Sequence, residues 1–133
     1  MGSVRTVVFV CQHGAAKSVL AAALLERLAA EQGVALRALA RGTEPEPRVA
    51  PTVVAGLLGE GVDVEAWQPR LVTHDDLAPA WRIISFGPDL SHLLPEGALV
   101  EAWDNIPAVA DSLPAAQAAV AARLPELVQG QPE

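Results

Sequence analysis

The junction across residues 4–28 constrains this chain most. An unbroken apolar and β-branched run, Val4–Val10 apart from Arg5, leads into Cys11-Gln12-His13-Gly14-Ala15-Ala16-Lys17-Ser18, after which Leu20, Leu24 and Leu28 recur every fourth position. An apolar run without alternation reads as a strand buried on both faces, the kind found in parallel sheets. Leucines four apart read as one face of a helix, with Ser18 as its N-cap and Gly33 at its end. A buried strand running through a short loop into a helix is one half of a βαβ unit. Its sheet must be covered on both sides.

The rest of the chain repeats that grammar. Val34–Arg41 reads as a second strand, and Gly42-Thr43-Glu44-Pro45-Glu46-Pro47 as a loop whose prolines exclude regular structure. Val49–Gly59 reads as a helix with Pro51 in its first turn. Thr73 followed by Asp75 and Asp76 starts a short helix. Trp81–Phe86 reads as a third strand stopped by Gly87-Pro88, Asp89–Leu94 as a short helix, and Ala98–Trp103 as a fourth strand. Asp111 or Ser112 caps a last helix with the apolar stripe Ala116, Val120, Leu124 and Leu127. Residues 129–133 read as a frayed tail. The expected fold is α/β: a three-layer αβα arrangement around a four-stranded parallel sheet, in a single domain over residues 1–133. In such sheets the ligand site lies at the carboxyl ends of the strands, which is where Cys11 falls.

Composition narrows the function. A net charge of −7 with scattered basic residues argues against nucleic acid as a partner. No apolar run reaches membrane-spanning length, and the first residues lack a secretory pattern, so a cytoplasmic location is expected. One cysteine permits no internal disulfide and too few ligands for a cysteine metal site; no metal and no cofactor are expected. Eight of the nine basic residues are arginine, yet the one lysine, Lys17, stands in the loop after the first strand.

The chemistry of that loop follows from its position. Backbone N–H groups at a helix start have no internal partners, and the helix dipole adds positive potential. A loop of small residues can turn successive N–H groups toward one tetrahedral oxyanion. Gln12, His13, Gly14, Ala15, Ala16 and Lys17 are the expected oxyanion-binding residues, with Gly14 free to take a left-handed conformation. Helix starts with a nearby cation also favour the thiolate, the nucleophilic form of a cysteine, and Ser18 is placed to hydrogen-bond its sulfur. The alternative is that Cys11 is a small buried residue at a strand end and Lys17 a solvated one.

At this point the residues resemble a known family. Val7–Ser18 resembles the phosphate loop of the low-molecular-weight protein tyrosine phosphatases and of the arsenate reductases that share their fold, which carry C-x5-R-S after a first strand. The likeness to the arsenate-reductase branch continues through Arg41-Gly42-Thr43-Glu44-Pro45, Val49-Ala50-Pro51, Gly61-Val62-Asp63-Val64, Ile83–Gly87 and Glu101–Asp104. The resemblance implies two-step phosphoryl transfer, with Cys11 as nucleophile, Ser18 assisting it and Lys17 in the arginine position. Its partners would be phosphate, an arsenate-like oxyanion or a small phosphomonoester.

Four departures qualify that expectation. Lysine is a point charge where the family has a planar fork, which weakens transition-state stabilisation by about 2–4 kcal/mol if one oriented donor is lost. The family's Asp-Pro general acid is missing; the aligned stretch is Asp104-Asn105-Ile106-Pro107-Ala108, which leaves Asp104 as the catalytic acid with Asp111 behind it, or Asp104 as the solvated end of a strand. There are no further cysteines for a thioredoxin-coupled route, so arsenate reduction would need an external small thiol. Gly14 stands where many relatives carry asparagine.

The remaining residues are read more plainly. His13 either helps position an oxyanion or faces solvent. His74 and His92 read as surface residues near helix starts. The three tryptophans, Trp67, Trp81 and Trp103, read as packing, with Trp67 and Arg70 as a possible border of the pocket. The loop Thr43–Arg48 holds no aromatic and two acids, which disfavours a phosphotyrosine protein as substrate. Three functions follow: a slow cysteine-dependent phosphatase of small phosphomonoesters, an arsenate reductase, or a non-catalytic oxyanion-binding module.

Overall fold

The β-branched stretches form the inner layer because their side chains fill both faces of the sheet. In the computed structural model, which describes residues 4–129, these are β1 (Arg5–Cys11), β2 (Leu36–Gly42), β3 (Arg82–Ser85) and β4 (Val100–Ala102). All pair in parallel in the order β2-β1-β3-β4, so β1 is central. Alternation along β1 divides the interior in two. Val7, Phe9 and Cys11 enter one core and Val8 and Val10 the other.

The first core is the larger. It is closed by α1 (Lys17–Gln32), α2 (Pro51–Leu58) and α4 (Leu113–Gln129). The stripe on α4 is buried as its spacing requires, with Ala116, Val120, Leu124 and Leu127 all within 3% exposure. Trp103, just past β4, is fully buried and meets the Phe9 and Phe86 rings edge-on, each at 5.8 Å between centroids. The second core is covered by the single turn α3 (His74–Leu77) and by irregular chain around Leu90 and Leu93. Thr73 and Asp76 form a capping box at the start of α3.

Three expectations are corrected. Ser18 does not cap α1: the N-cap is Ala16, with no side-chain cap bond, because the Ser18 hydroxyl is engaged with Cys11 inside the first turn. Asp89–Leu94 is not a helix but a turn, since Pro95 disfavours helical Leu94 and too few residues remain to nucleate one. β1 runs one residue further than its apolar stretch, because Cys11 is paired with Gly42 in the ladder. The predicted end of α1 holds: Gly33 takes a left-handed φ of 68° and closes the helix through Ala29 and Ala30. Of the tail expected to fray, Gln129 ends α4 and residues 130–133 lie outside the described residues.

Candidate functional site

The segment from Cys11 to Ser18 is shaped by a second segment that the sequence does not mark as its partner. After β2, the chain from Thr43 to Ala50 runs alongside it as a strap. Thr43 N–H donates to Cys11 O (3.3 Å), Glu44 N–H to Gln12 O (2.7 Å), Glu46 N–H to His13 O (3.1 Å) and Ala50 N–H to Ala15 O (2.8 Å). The loop's carbonyls are thereby drawn toward the strap. Its N–H groups are left over: among the described residues, none from Gln12 to Ser18 donates to a protein acceptor. Backbone donors left in that state are normally satisfied by a ligand, by water or by a cap.

Two glycines allow the loop and strap to touch. Gly14 has φ 60°, and a Cβ there would lie 2.9 Å from Gly42 N. A Cβ on Gly42 would lie 2.6 Å from Gly14 N. Both contacts are backbone against backbone, so no side chain can swing aside.

Glu44 adds a side-chain clasp. Its carboxylate accepts from Gln12 Nε2 at 2.7 Å, and its carbonyl lies 3.2 Å from His13 Nδ1. His13 and Gln12 are both exposed, whereas Gly14, Ala15 and Ser18 are buried.

Cys11 is 7% exposed, and its thiol donates to Ser18 Oγ at 3.1 Å. Ser18 is itself completely buried. When the thiol ionises, the hydroxyl can turn and donate to the sulfur. Lys17 begins α1, is partly exposed and makes no ion pair among the described residues. Its ammonium therefore has no carboxylate competing with a bound anion.

A cleft of about 600 Å³ opens beside the loop. It is lined by Gln12, Thr43, Glu44, Phe86, Asp89 and His92 among others, and of the residues from Cys11 to Ser18 only Gln12 reaches it. The expected acid, Asp104, is exposed and lines a different depression, with Ser85, Gly87, Pro88 and Asp89. Asp111 is exposed before α4. Trp67 and Arg70 border a depression that reaches Gly14 along the edge strand β2, not this cleft. His74 sits at the start of α3 as expected, but His92 is on the cleft. Asp89 and His92 are the cleft residues that sequence reasoning missed. Their one signal was Gly87-Pro88, which ends β3 at the carboxyl edge of the sheet where a ligand site belongs.

Burial pushes Asp76 up, but the Arg41 hydrogen bond (3.1 Å), the Thr73 backbone N–H and the Arg41 charge outweigh it and hold the carboxyl below its ordinary value. That pair fixes the far end of β2 against α3, just before the strap begins. No group of three or more His, Cys, Asp or Glu side chains suited to a metal ion occurs among the described residues. None of the described helices is long and apolar enough to cross a membrane.

Known proteins share this architecture. The fold is similar to that of YfkJ from Bacillus subtilis, with a TM-score of 0.82 and 18% identity over 97% of this chain and 95% of that one. A thioredoxin-dependent arsenate reductase from Corynebacterium glutamicum gives 0.80 at 24% identity, covering 97% of this chain and 62% of the other. The arsenate reductase from Archaeoglobus fulgidus gives 0.71 at 29% identity, over 94% and 99% of the two chains. No curated protein sequence matches the chain. The sequence model for low molecular weight phosphotyrosine protein phosphatase matches residues 6–106, from β1 through the end of the sheet. The chain belongs to the low molecular weight phosphotyrosine protein phosphatase family, a superfamily of cysteine-dependent phosphatases and arsenate reductases.

Proposed function

We infer that this protein hydrolyses small phosphomonoesters through a phosphocysteine intermediate on Cys11. The observation that carries this reading is the Cys11–Ser18 contact of 3.1 Å inside a loop whose carbonyls are tied to the strap and whose N–H groups remain unpaired. The phosphoryl oxygens take those N–H groups, from Gln12 to Lys17, and the Lys17 ammonium supplies the charge. Cys11 sulfur attacks phosphorus in line and the ester oxygen leaves. Water then attacks phosphorus, the S–P bond breaks, and the Ser18 hydroxyl stabilises the departing thiolate. The ammonium lacks the two-pronged grip of a guanidinium, so turnover is slow. The strap offers Thr43, Glu44 and Glu46 but no aromatic side chain, which favours a compact ester over a phosphotyrosine protein.

Hydrolysis of an activated aryl phosphate, compared between wild type and Cys11→Ser, tests the reading. Turnover confined to the wild type supports it, and equal rates contradict it. Tight phosphate binding with no turnover would instead favour an oxyanion-binding module.

A second reading, arsenate reduction, is supported by the 29% identity to the Archaeoglobus reductase. Cys11 is the only cysteine, so external thiols must supply both electrons, ending as a disulfide while arsenate becomes arsenite. Failure to form arsenite with any small thiol removes it.

A further inference from the structure

The cation of the loop is an amine. Lys17 is the one lysine among nine basic residues, at the position where the resembling loops hold arginine. A guanidinium stays protonated and does not act as a nucleophile. An amine can be acylated, and acylation removes its charge.

The surroundings leave that amine free. Lys17 is half-buried at the first position of α1, and among the described residues its side chain makes neither an ion pair nor a hydrogen bond. Glu44, the carboxylate clasped to the loop, is already taken by Gln12 Nε2 at 2.7 Å. Arg27, Arg41, Arg82 and Arg123 are each held by a carboxylate. Cys11, the other nucleophile of the loop, is 7% exposed with its thiol on Ser18 Oγ.

We propose that Lys17 is a modification site, acylated by acyl phosphates held in the loop, and that acylation switches anion binding off. The proposal rests on the reading of the loop as an oxyanion cradle, but not on attack by Cys11. The phosphate end of the donor takes the unpaired N–H groups from Gln12 to Lys17, and the acyl group on its fourth oxygen extends out of the cradle. The Lys17 side chain springs from the last residue of that set, and its flexible four-carbon stem carries Nζ to the acyl carbon. Once the ammonium has lost a proton to water, Nζ attacks that carbon. The C–N bond forms, the C–O bond to phosphate breaks, and one N–H proton ends on the departing inorganic phosphate. No oxidant or reductant is required. The product is a neutral amide, so the loop loses the ammonium that faces a bound anion.

Acetyl phosphate is the probe. The protein is incubated with it, treated with hydroxylamine to remove any thioester on Cys11, and mapped by mass spectrometry. An acetyl amide should form at Lys17 at least about 10-fold faster than on Nα-acetyllysine under the same conditions. Inorganic phosphate should slow the reaction, and chloride at equal ionic strength should not. Phosphate affinity of the acetylated protein, and of K17Q, should fall about 10- to 100-fold. C11A retains the loop N–H groups and should still be acetylated at Lys17. A rate equal to that of the free amino acid, no protection by phosphate, unchanged phosphate affinity in either neutral form, or loss of the adduct in C11A overturns the proposal. Acetylation of this pattern without Cys11-dependent hydrolysis of an aryl phosphate leaves the modification site standing and removes the phosphatase reading. Hydrolysis without acetylation does the reverse.

Discussion

The two segments at the carboxyl edge of the sheet, Cys11–Ser18 and Ser85–Leu93, are built differently. The Cys11–Ser18 segment is held by bonds to a distant segment, with strap donors at 2.7–3.3 Å on its carbonyls and two glycine backbones in contact. The segment Ser85–Leu93 is tied to the sheet at its start, by Phe86 N–H to Val10 O (2.8 Å) and Trp103 N–H to Ser85 O (2.9 Å), but from Gly87 to Leu93 its described bonds are local, each spanning two or three residues. The first segment therefore cannot move without disturbing β2 and the larger core. The second can change its side chains at little cost to the fold. The anion-binding loop is coupled to the architecture, whereas the turn from Gly87 to Leu93 is a local structure.

Gly42→Ala is the most severe way to break this contrast. Its Cβ would meet Gly14 N at 2.6 Å and His13 C at 2.8 Å, so strap and loop must part. Urea denaturation should show a loss of about 3 kcal/mol, and phosphate titration by calorimetry should show no binding. An unchanged midpoint would mean that the two segments are equally free.

Lys17→Arg sharpens it in the other direction. With the cradle intact, a planar fork should raise kcat/KM on an activated aryl phosphate by about 10- to 100-fold. No change in rate would place the Lys17 side chain away from the phosphoryl group.

Glu44→Ala removes only the clasp. The backbone bonds of the strap remain, so KM should rise about 3- to 10-fold with kcat changing less, and stability should fall by less than about 1 kcal/mol. A collapse of kcat would show that the clasp, not the backbone, shapes the loop.

The smallest effect concerns pH. Asp76 is held below its ordinary value in the folded protein, so the folded state favours its ionised form. Its contribution is present above the unfolded pKa of about 3.9 and is lost as pH falls through the lower folded value. Asp76→Asn should cost about 1 kcal/mol near neutrality and flatten the acid limb of a stability–pH curve. Identical acid limbs in both proteins would remove Asp76 from the account.

What was legible in the sequence divides along the same line. β1, α1 and the loop between them are local: strand burial shows in Val7–Val10, the helix in its leucine spacing, and the left-handed Gly14 in its residue type. The strap was legible only as a loop. Its pairing with residues 11–15 joins segments about thirty positions apart, and no local pattern in Thr43–Ala50 encodes it. Ser18 resembled a cap because serine at a helix start usually is one, and only the neighbouring sulfur redirected its hydroxyl. His92 was hidden because Asp89–Leu94 carries helix-like spacing. The anchoring of Leu90 in the second core and the following Pro95 make a turn instead, and turn His92 to the cleft.

The central claim is that phosphoryl transfer passes through the Cys11 sulfur. It is tested most directly by quenching the enzyme in acid during turnover of p-nitrophenyl phosphate and mapping the adduct by mass spectrometry. The account predicts one phosphoryl group on Cys11 in the wild type, with neither adduct nor turnover in Cys11→Ala. Turnover that persists in Cys11→Ala, or that proceeds in the wild type without an adduct on that sulfur, would contradict it.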